Sequence, residues 1–370
     1  MNITDEFKLS FFQGPRVDIK GESKKMYTVK FINPINETVV FQQKIEINQY
    51  ARAYQEYFIP WIIKIDDQEG NNQLTYQFTT EGKRIFITFE SGALGDTICW
   101  LPYVEEFRKK HNCTVIVSTF FNFLFEKEYP ELEFHDRTKP ITNIQAVYKI
   151  GWFGSGEATF RNPIDVREQP LQKLAADILG MDYTPVKTKI SRDTRPSLFN
   201  QGKYVVITTC STAQFKYWNN PIGWQTVVMY LKSIGYTVIN IGKHENNLSG
   251  VINMTGTKPM EDIINLIQNA DFMIGLSSGL NWLAWGLDVP NIMISGMTMD
   301  WNEYENPYRI INKSVCHGCF NKKEVTFNKG KWDFCFFEQG KPDQFICTKT
   351  ITPETVIEVI DKLRKDKNII

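Results

Sequence analysis

The chain carries no surplus of charge: its 370 residues hold 42 Lys and Arg against 42 Asp and Glu. That balance excludes a globally basic nucleic-acid coat and an acidic disordered tail. Histidine is scarce, with four in the chain, and His111, His135 and His244 show no spacing suited to a metal. Long apolar runs are missing. The most apolar short stretch, residues 57–65, is too short for a membrane span and contains Pro60. The first residues have neither the basic nor the apolar region of a secretory signal. The expectation is a soluble cytoplasmic protein with no membrane span and no nucleic-acid partner. No long repeat or low-complexity tract occurs, and neither Gly-x-Gly-x-x-Gly nor a Walker A loop, so generic dinucleotide and P-loop readings lose support. Asp-x-Asp is also absent, which removes the usual carboxylate clamp for a nucleotide-bound divalent ion.

What is present is an ordinary globular composition, 42% hydrophobic and 23% charged, long enough for two to three domains. Residues 1–82 predict a small β-rich domain. Strand-like runs at 27–32 and 37–41 flank the turn cluster Asn33-Pro-Ile-Asn36, and 45–47, 58–65 and 74–78 add further strands. Residues 50–57 are the one helix candidate there. From Lys83 the pattern alternates: strands at 84–89, 113–117 and 146–150, helices at 97–110, 122–128 and 170–179. A second alternation starts near Lys203, with strands at 204–208, 237–241, 272–274 and 291–294 and helices at 222–234, 260–269 and 280–287. Two such halves in series predict an α/β chain with parallel sheets, two Rossmann-like domains facing a cleft. Thr352 and Pro353 suit the N-cap and first position of a last helix over 353–364.

Three polar loops carry the chemistry. Ser91-Gly-Ala-Leu-Gly-Asp96 follows a strand, and Gly92 and Gly95 let the backbone turn tightly at its carboxyl end, the edge where open α/β sheets bind ligands. Asp96 either caps the following helix or takes a proton from an acceptor hydroxyl. The loop from Thr208 to Trp218 offers hydroxyls, Thr209 and Ser211 among them, and one cation, Lys216. Such a set suits a phosphate, or else it is a solvated loop with a snorkelling lysine. In Gly275-Leu-Ser-Ser-Gly-Leu280, Ser277, Ser278 and Gly279 open a helix, a natural anion site unless Ser278 merely caps it. Together the last two loops supply donors for a diphosphate leaving group without a metal.

The seven cysteines are an odd count with four crowded near the C-terminus, unlike a secreted disulfide framework. Cys316-x2-Cys319-x15-Cys335-x11-Cys347 fits a closed tetrahedral four-thiolate site, structural rather than catalytic, for zinc or iron. Two disulfides or four buried thiols are the alternatives, and His317 is a further possible donor. Cys99, Cys113 and Cys210 read as small core residues, and Trp282 and Trp285 as core packing.

Taken together, these features resemble the bacterial autotransporter heptosyltransferase family, protein O-glycosyltransferases related to the lipopolysaccharide heptosyltransferases. The residues that carry the resemblance are Gly92-Ala-Leu-Gly-Asp96, Lys216-Tyr-Trp218, Leu276-Ser-Ser-Gly-Leu-Asn-Trp-Leu-Ala-Trp285, Asn306-Pro-Tyr-Arg-Ile-Ile-Asn312 and Cys316-His-Gly-Cys-Phe-Asn321 with Cys335 and Cys347. The resemblance extends over nearly the whole chain. It implies a GT-B architecture, with 1–82 as the β-rich domain, 83–200 as the acceptor-side Rossmann-like domain and 201–313 as the nucleotide-sugar domain. Residues 314–350 would then be the four-cysteine metal finger and 351–370 the C-terminal helix. It implies inverting, metal-independent transfer of heptose from ADP-heptose to serine hydroxyls of an autotransporter adhesin. It further implies Asp96 as general base, Lys216 and Ser277-Ser278-Gly279 at the diphosphate, and Glu245 near the nucleotide ribose. Iron at the four cysteines and assembly into large homo-oligomeric rings are implied as well. Lipopolysaccharide heptosyltransferases carry Asp-Thr-Gly where this chain has Ser277-Ser278-Gly279, a departure that favours the protein-directed branch. Two other readings are a transferase acting on lipopolysaccharide or another glycan, against which the β-rich domain and the finger speak, and a degenerate non-catalytic GT-B scaffold, against which Asp96 and Lys216 speak.

Overall fold

A computed structural model of the chain describes residues 6–22, 25–152, 158–244, 247–325 and 333–369. The chain divides into two compact units. One holds Met1–Gly92, Trp100–Val166 and Gln172–Val186, the other Ala93–Cys99, Arg167–Leu171 and Lys187–Ile370.

The first unit begins with strands only: β1 (Phe7–Ser10), β2 (Arg16–Ile19), β3 (Met26–Asn33), β4 (Thr38–Glu46), β5 (Tyr50–Arg52), β6 (Ile62–Asp67) and β7 (Asn72–Gln77). They form two antiparallel sheets, ordered β1-β2-β5 and β4-β3-β6-β7. Period-two burial explains β3: Tyr27, Val29 and Phe31 are buried and the residues between them are not. Its hairpin turns where the Asn33 side chain accepts from the Ile35 backbone N–H at 3.0 Å.

A parallel sheet follows. Its strands are β8 (Arg84–Phe89), β9 (Thr114–Ser118), β10 (Glu133–Phe134) and β11 (Ala146–Ile150), and its helices α1 (Leu94–His111), α2 (Ala158–Arg161) and α3 (Leu171–Ile178). The strand order is β10-β9-β8-β11. The strand that comes first in the chain therefore sits inside the sheet, with its successors on one side and the fourth strand on the other.

The second unit repeats that logic. Strands β12 (Tyr204–Ile207), β13 (Thr237–Asn240), β14 (Ile252–Asn253), β15 (Phe272–Leu276), β16 (Asn291–Ile294) and β17 (Arg309–Ile310) alternate with α4 (Gly223–Ser233), α5 (Met260–Gln268) and α6 (Gly279–Gly286), and the chain closes with α7 (Ile346–Lys349) and α8 (Pro353–Asp366). All pairings in this sheet are parallel, in the order β14-β13-β12-β15-β16-β17. Its central strands are buried on both faces, as parallel sheets require. Val205, Ile207, Phe272 and Ile274 pack with Val227 and Leu231 of α4 and with Val356, Ile360 and Leu363 of α8. The topological switch point lies between β12 and β15, the place in an open parallel sheet where ligands characteristically bind. No described helix is long and apolar enough to cross a membrane.

Several local expectations are corrected. Residues 50–57 form no helix: Tyr50–Arg52 pairs with β2 and no regular element follows before β6. The strand expected from residue 58 begins at Ile62, just past Pro60. Residues 122–128 give only the short 3-10 helix Asn122–Leu124. There the Asn122 side chain accepts from Thr119 N at 2.9 Å and donates to His135 O at 2.9 Å, local bonds that compete with a longer helix. Cys99 and Cys113 are buried, but Cys210 is only half-buried because it belongs to a loop rather than to β12. The cap expected at Thr352 is present: its hydroxyl accepts from Thr355 N, with proline at the start of α8. Replacing Thr352 by Ala should lower stability by about 1 kcal/mol, the usual value of such a cap, read as a lower denaturation midpoint in urea.

Candidate active site

The residues singled out from the sequence converge on the second unit. The glycine loop belongs partly to a helix: α1 starts at Leu94, so Gly95 and Asp96 lie in its first turn. Asp96 is thus past the cap position, which corrects the capping alternative. Its side chain is buried, at 8% exposure. The Cys99 thiol one turn on is held far up by burial and, after that, by the charges of Asp96 and Glu303.

Gly95 meets Gly279, the first residue of α6. A Cβ on Gly279 would lie 2.9 Å from Gly95 N and 2.9 Å from Leu94 Cβ, and one on Gly95 would lie 3.3 Å from Gly279 Cα. Two helix N-termini, each with amide groups that no helical carbonyl satisfies, therefore abut backbone to backbone. The partial positive charge of both helix ends accumulates there.

Ser278 occupies the N-cap position of α6 with extended backbone, yet its side chain makes no capping bond. Its hydroxyl is buried without a hydrogen-bond partner. Capping is therefore not its role, and an orphaned hydroxyl at a helix N-terminus is the donor an anion would satisfy. The Ser277 hydroxyl, in contrast, donates to Glu303, and Ser277 is 3% exposed. Glu303 pairs with Arg309 at 2.9 Å, both side chains almost fully buried. Arg309 also donates to Ser295 Oγ at 3.0 Å and Thr298 Oγ1 at 2.8 Å. Ser277 thus holds its loop through a buried carboxylate rather than offering its hydroxyl outward. The sequence reading missed Glu303; nothing in its surroundings distinguishes it from a surface carboxylate until Arg309 is folded against it.

The second polar loop leaves β12 beside β15. Thr208 N donates to Ile274 O at 2.9 Å, and a Cβ on Gly275 would lie 2.7 Å from Thr208 Oγ1 and 2.1 Å from Asn281 Oδ1, so Gly275 is the space through which these strands approach. Thr209 is buried, and the Ser211 carbonyl accepts from the Tyr217 hydroxyl at 3.3 Å. Lys216 closes the 3-10 helix Gln214–Lys216, half-buried. Its ammonium has no carboxylate partner among the described residues. The loops carrying Lys216 and Ser278-Gly279 thus flank the switch point between β12 and β15. Glu245 lies outside the described residues.

The four C-terminal cysteines are all free thiols and all half-buried. Burial and then the charges of Cys316 and Cys335 push Cys319 up to about 12. Burial and the charges of the other three push Cys347 up to about 12. Among the described residues no three His, Cys, Asp or Glu side chains are arranged as a metal cage. The His317 ring bonds the Val315 carbonyl at 2.8 Å.

Comparison with known proteins gives the family. Residues 169–327 match the glycosyltransferase family 9 (heptosyltransferase) model. The chain is similar to the autotransporter heptosyltransferase TibC of Escherichia coli, 32% identical over 96% of this chain and 89% of TibC. It is equally similar to the autotransporter heptosyltransferase BAHTCr of Citrobacter rodentium, 32% identical over 97% of this chain and 89% of that one. A relative from Burkholderia thailandensis, 26% identical over 96% of this chain and 86% of its own length, is named the inactive autotransporter heptosyltransferase BimC. The crystal structure of TibC, an iron-containing dodecameric glycosyltransferase, superposes with a TM-score of 0.90 at 29% identity, covering 98% of this chain and 96% of TibC. TibC has also been solved in complex with ADP-D-beta-D-heptose.

The glycine contact makes a measurable demand. Gly279→Ala should destabilise the chain by about 1–3 kcal/mol through overpacking. Gly92→Ala, whose Cβ would meet only the Phe120 ring at 3.8 Å, should leave the thermal midpoint within error. Equal midpoints for the two variants would remove the contact from the account.

Proposed function

The chain belongs to the autotransporter heptosyltransferases of glycosyltransferase family 9, and from that premise we propose that it transfers heptose from ADP-heptose to serine hydroxyls of an autotransporter adhesin, with inversion at the anomeric carbon. The observation that carries the reading is the junction of two helix N-termini at Gly95 and Gly279, with the Ser278 hydroxyl orphaned beside it and Asp96 in the first turn of α1. Two Rossmann-like sheets in series support a GT-B architecture, with 1–82, 83–200, 201–313, 314–350 and 351–370 as the working division. A cytoplasmic location and a large ring of copies belong to the same reading, as TibC is dodecameric.

The proposed mechanism follows from the loops. The donor diphosphate lies at the switch point, where Ser278 and the amides opening α6 donate to its oxygens and Lys216 neutralises its charge. Thr209 and Ser211 extend the same rim, and Glu245 is assigned to the ribose. Ser277 acts at one remove, its bond to Glu303 holding the loop in register. The serine oxygen of the acceptor attacks the anomeric carbon as the bond to the diphosphate breaks. The Asp96 carboxylate takes the hydroxyl proton, and ADP leaves with the bonding electrons. Helix amides and one ammonium stabilise the charge that develops, so no catalytic divalent ion enters the scheme.

The four cysteines are proposed to hold one structural iron, as TibC is iron-containing. The donor set fits. Burial and neighbouring charge disfavour the thiolates of Cys319 and Cys347, and a cation at the site would reverse both effects. When bound, the metal would supply a cross-link between segments that have little regular structure of their own.

Because one family member is named inactive, transfer itself is the decisive measurement. Intact mass of a co-expressed autotransporter passenger should show heptose additions, and lipopolysaccharide should show none; the reverse result would assign the chain to the glycan-directed branch. Asp96→Asn keeps the size of the side chain but cannot accept a proton. It should bind ADP nearly as the unsubstituted chain does and transfer roughly 100-fold or more slowly, the usual share of a general base. Transfer at the unsubstituted rate would move the base elsewhere.

The metal assignment has a separate test. Elemental analysis of the purified chain should find about one iron per chain. Cys335→Ser should lose it and lower the thermal midpoint, because the finger then lacks its cross-link. Metal-free protein with two disulfides would end the assignment.

A further inference from the structure

The finger and the loop that carries Lys216 are fastened together by hydrogen bonds. Helix α7 is a single turn that contains both Cys347 and Thr348. Cys347 shares the charge environment of the other three thiols and packs so closely on Gly296 that a Cβ there would lie 2.8 Å from its Sγ. Its neighbour Thr348, at 1% exposure, packs its methyl on the same glycine, where a Cβ would lie 2.8 Å from Thr348 Cγ2, and its hydroxyl accepts twice from Asn219: from the backbone N–H at 3.3 Å and from Nδ2 at 3.0 Å. Asn219 Nδ2 also reaches the carbonyls of Gln214 at 3.2 Å and Tyr217 at 2.9 Å, and Gln214 Nε2 donates back to Asn219 Oδ1 at 3.4 Å. These bonds bracket the helix Gln214–Lys216 from both ends. Two more links run parallel. Trp218 Nε1 donates to Ile351 O at 2.9 Å, and Asn220 Nδ2 donates to Lys349 O at 3.1 Å and Ile351 O at 3.2 Å.

We propose that Thr348 and Asn219 are positioning residues through which the four-cysteine finger sets the conformation of the Lys216 loop, so that the finger controls nucleotide affinity as well as local stability. The inference rests on the reading of Lys216 as a diphosphate ligand. Ordering a loop before its ligand arrives removes the entropy of ordering from the binding step. Trp218 anchors one end of the loop in the core, but the polar segment before it has few apolar contacts to order it, and the bonds from α7 hold it there. Cys347 and Thr348 are consecutive on one helical turn, so what constrains the cysteine constrains the threonine.

The experiment is isothermal calorimetry with ADP on the full chain, with metal content measured on the same samples. Thr348→Val preserves shape and removes the acceptor. It should retain the metal content of the unsubstituted chain and bind ADP about tenfold more weakly, the size expected when a neutral hydrogen-bonded link is lost. In turnover assays the loss should fall on KM rather than on kcat, because the reacting groups are untouched. Thr348→Ser restores the hydroxyl and should restore affinity. Asn219→Ala cuts the same link from the loop side and should reproduce the loss if Thr348→Val folds poorly. Lys216→Ala separates the two ideas. If it weakens ADP binding while Thr348→Val and Asn219→Ala do not, the positioning role is wrong and the donor site stands. If none of the three changes ADP affinity, the reading of Lys216 falls and takes this inference with it.

Discussion

A Cβ on Gly279 would lie 2.9 Å from the Gly95 nitrogen, so α1 and α6 can bring their first turns together this closely only with glycine at position 279. That close approach concentrates the free amides of two helix ends on one spot. It brings the first turn carrying Asp96 against the turn carrying Ser278, in the same compact unit. A buried carboxylate and an unpartnered hydroxyl then lie at the starts of two abutting helices. The proposed transfer uses that arrangement, a carboxylate close to the helix ends that would receive the diphosphate.

The buried polar groups around this junction serve it in different ways. Ser278 is left unpartnered, a cost the fold bears unless a ligand arrives. Ser277 is fully engaged, passing its loop's position through Glu303 to Arg309. Removing either member of that buried pair would leave the other charge uncompensated, which is far more damaging than the loss of an exposed ion pair. Adjacent serines thus differ: the Ser277 hydroxyl is held by Glu303, and that of Ser278 has no partner.

Much of the fold was legible because it is written locally. The run 84–89 reads as a strand from its apolar residues alone, and the structure places β8 there. Strand β11 has the bounds expected of it, and α8 begins at the expected cap. Misreadings arose where a local signal met a non-local partner: residues 50–57 carry weak helical periodicity, but Tyr50–Arg52 is captured by β2. In the site, the sequence places Lys216 and the two serines after strand ends, but Gly95 and Gly279 turn out to lie in the first turns of α1 and α6. Glu303 was not legible, because a lone glutamate in a loop is indistinguishable from a solvated one until Arg309 is buried beside it. Nor was the difference between Ser277 and Ser278, since which of two neighbouring hydroxyls finds a partner depends on groups far along the chain.

By itself the sequence determined the kinds of element, their order, and the residue types at the carboxyl edges of the strands. These follow from periodicity, capping and steric rules that act over a few residues. The tertiary structure alone decided which edges become neighbours: β12 beside β15, Gly95 against Gly279, and Asn219 against Thr348, which lie 129 positions apart. Such contacts depend on strand order and on how buried side chains fill space, and neither is encoded within the reach of a single helix turn or strand.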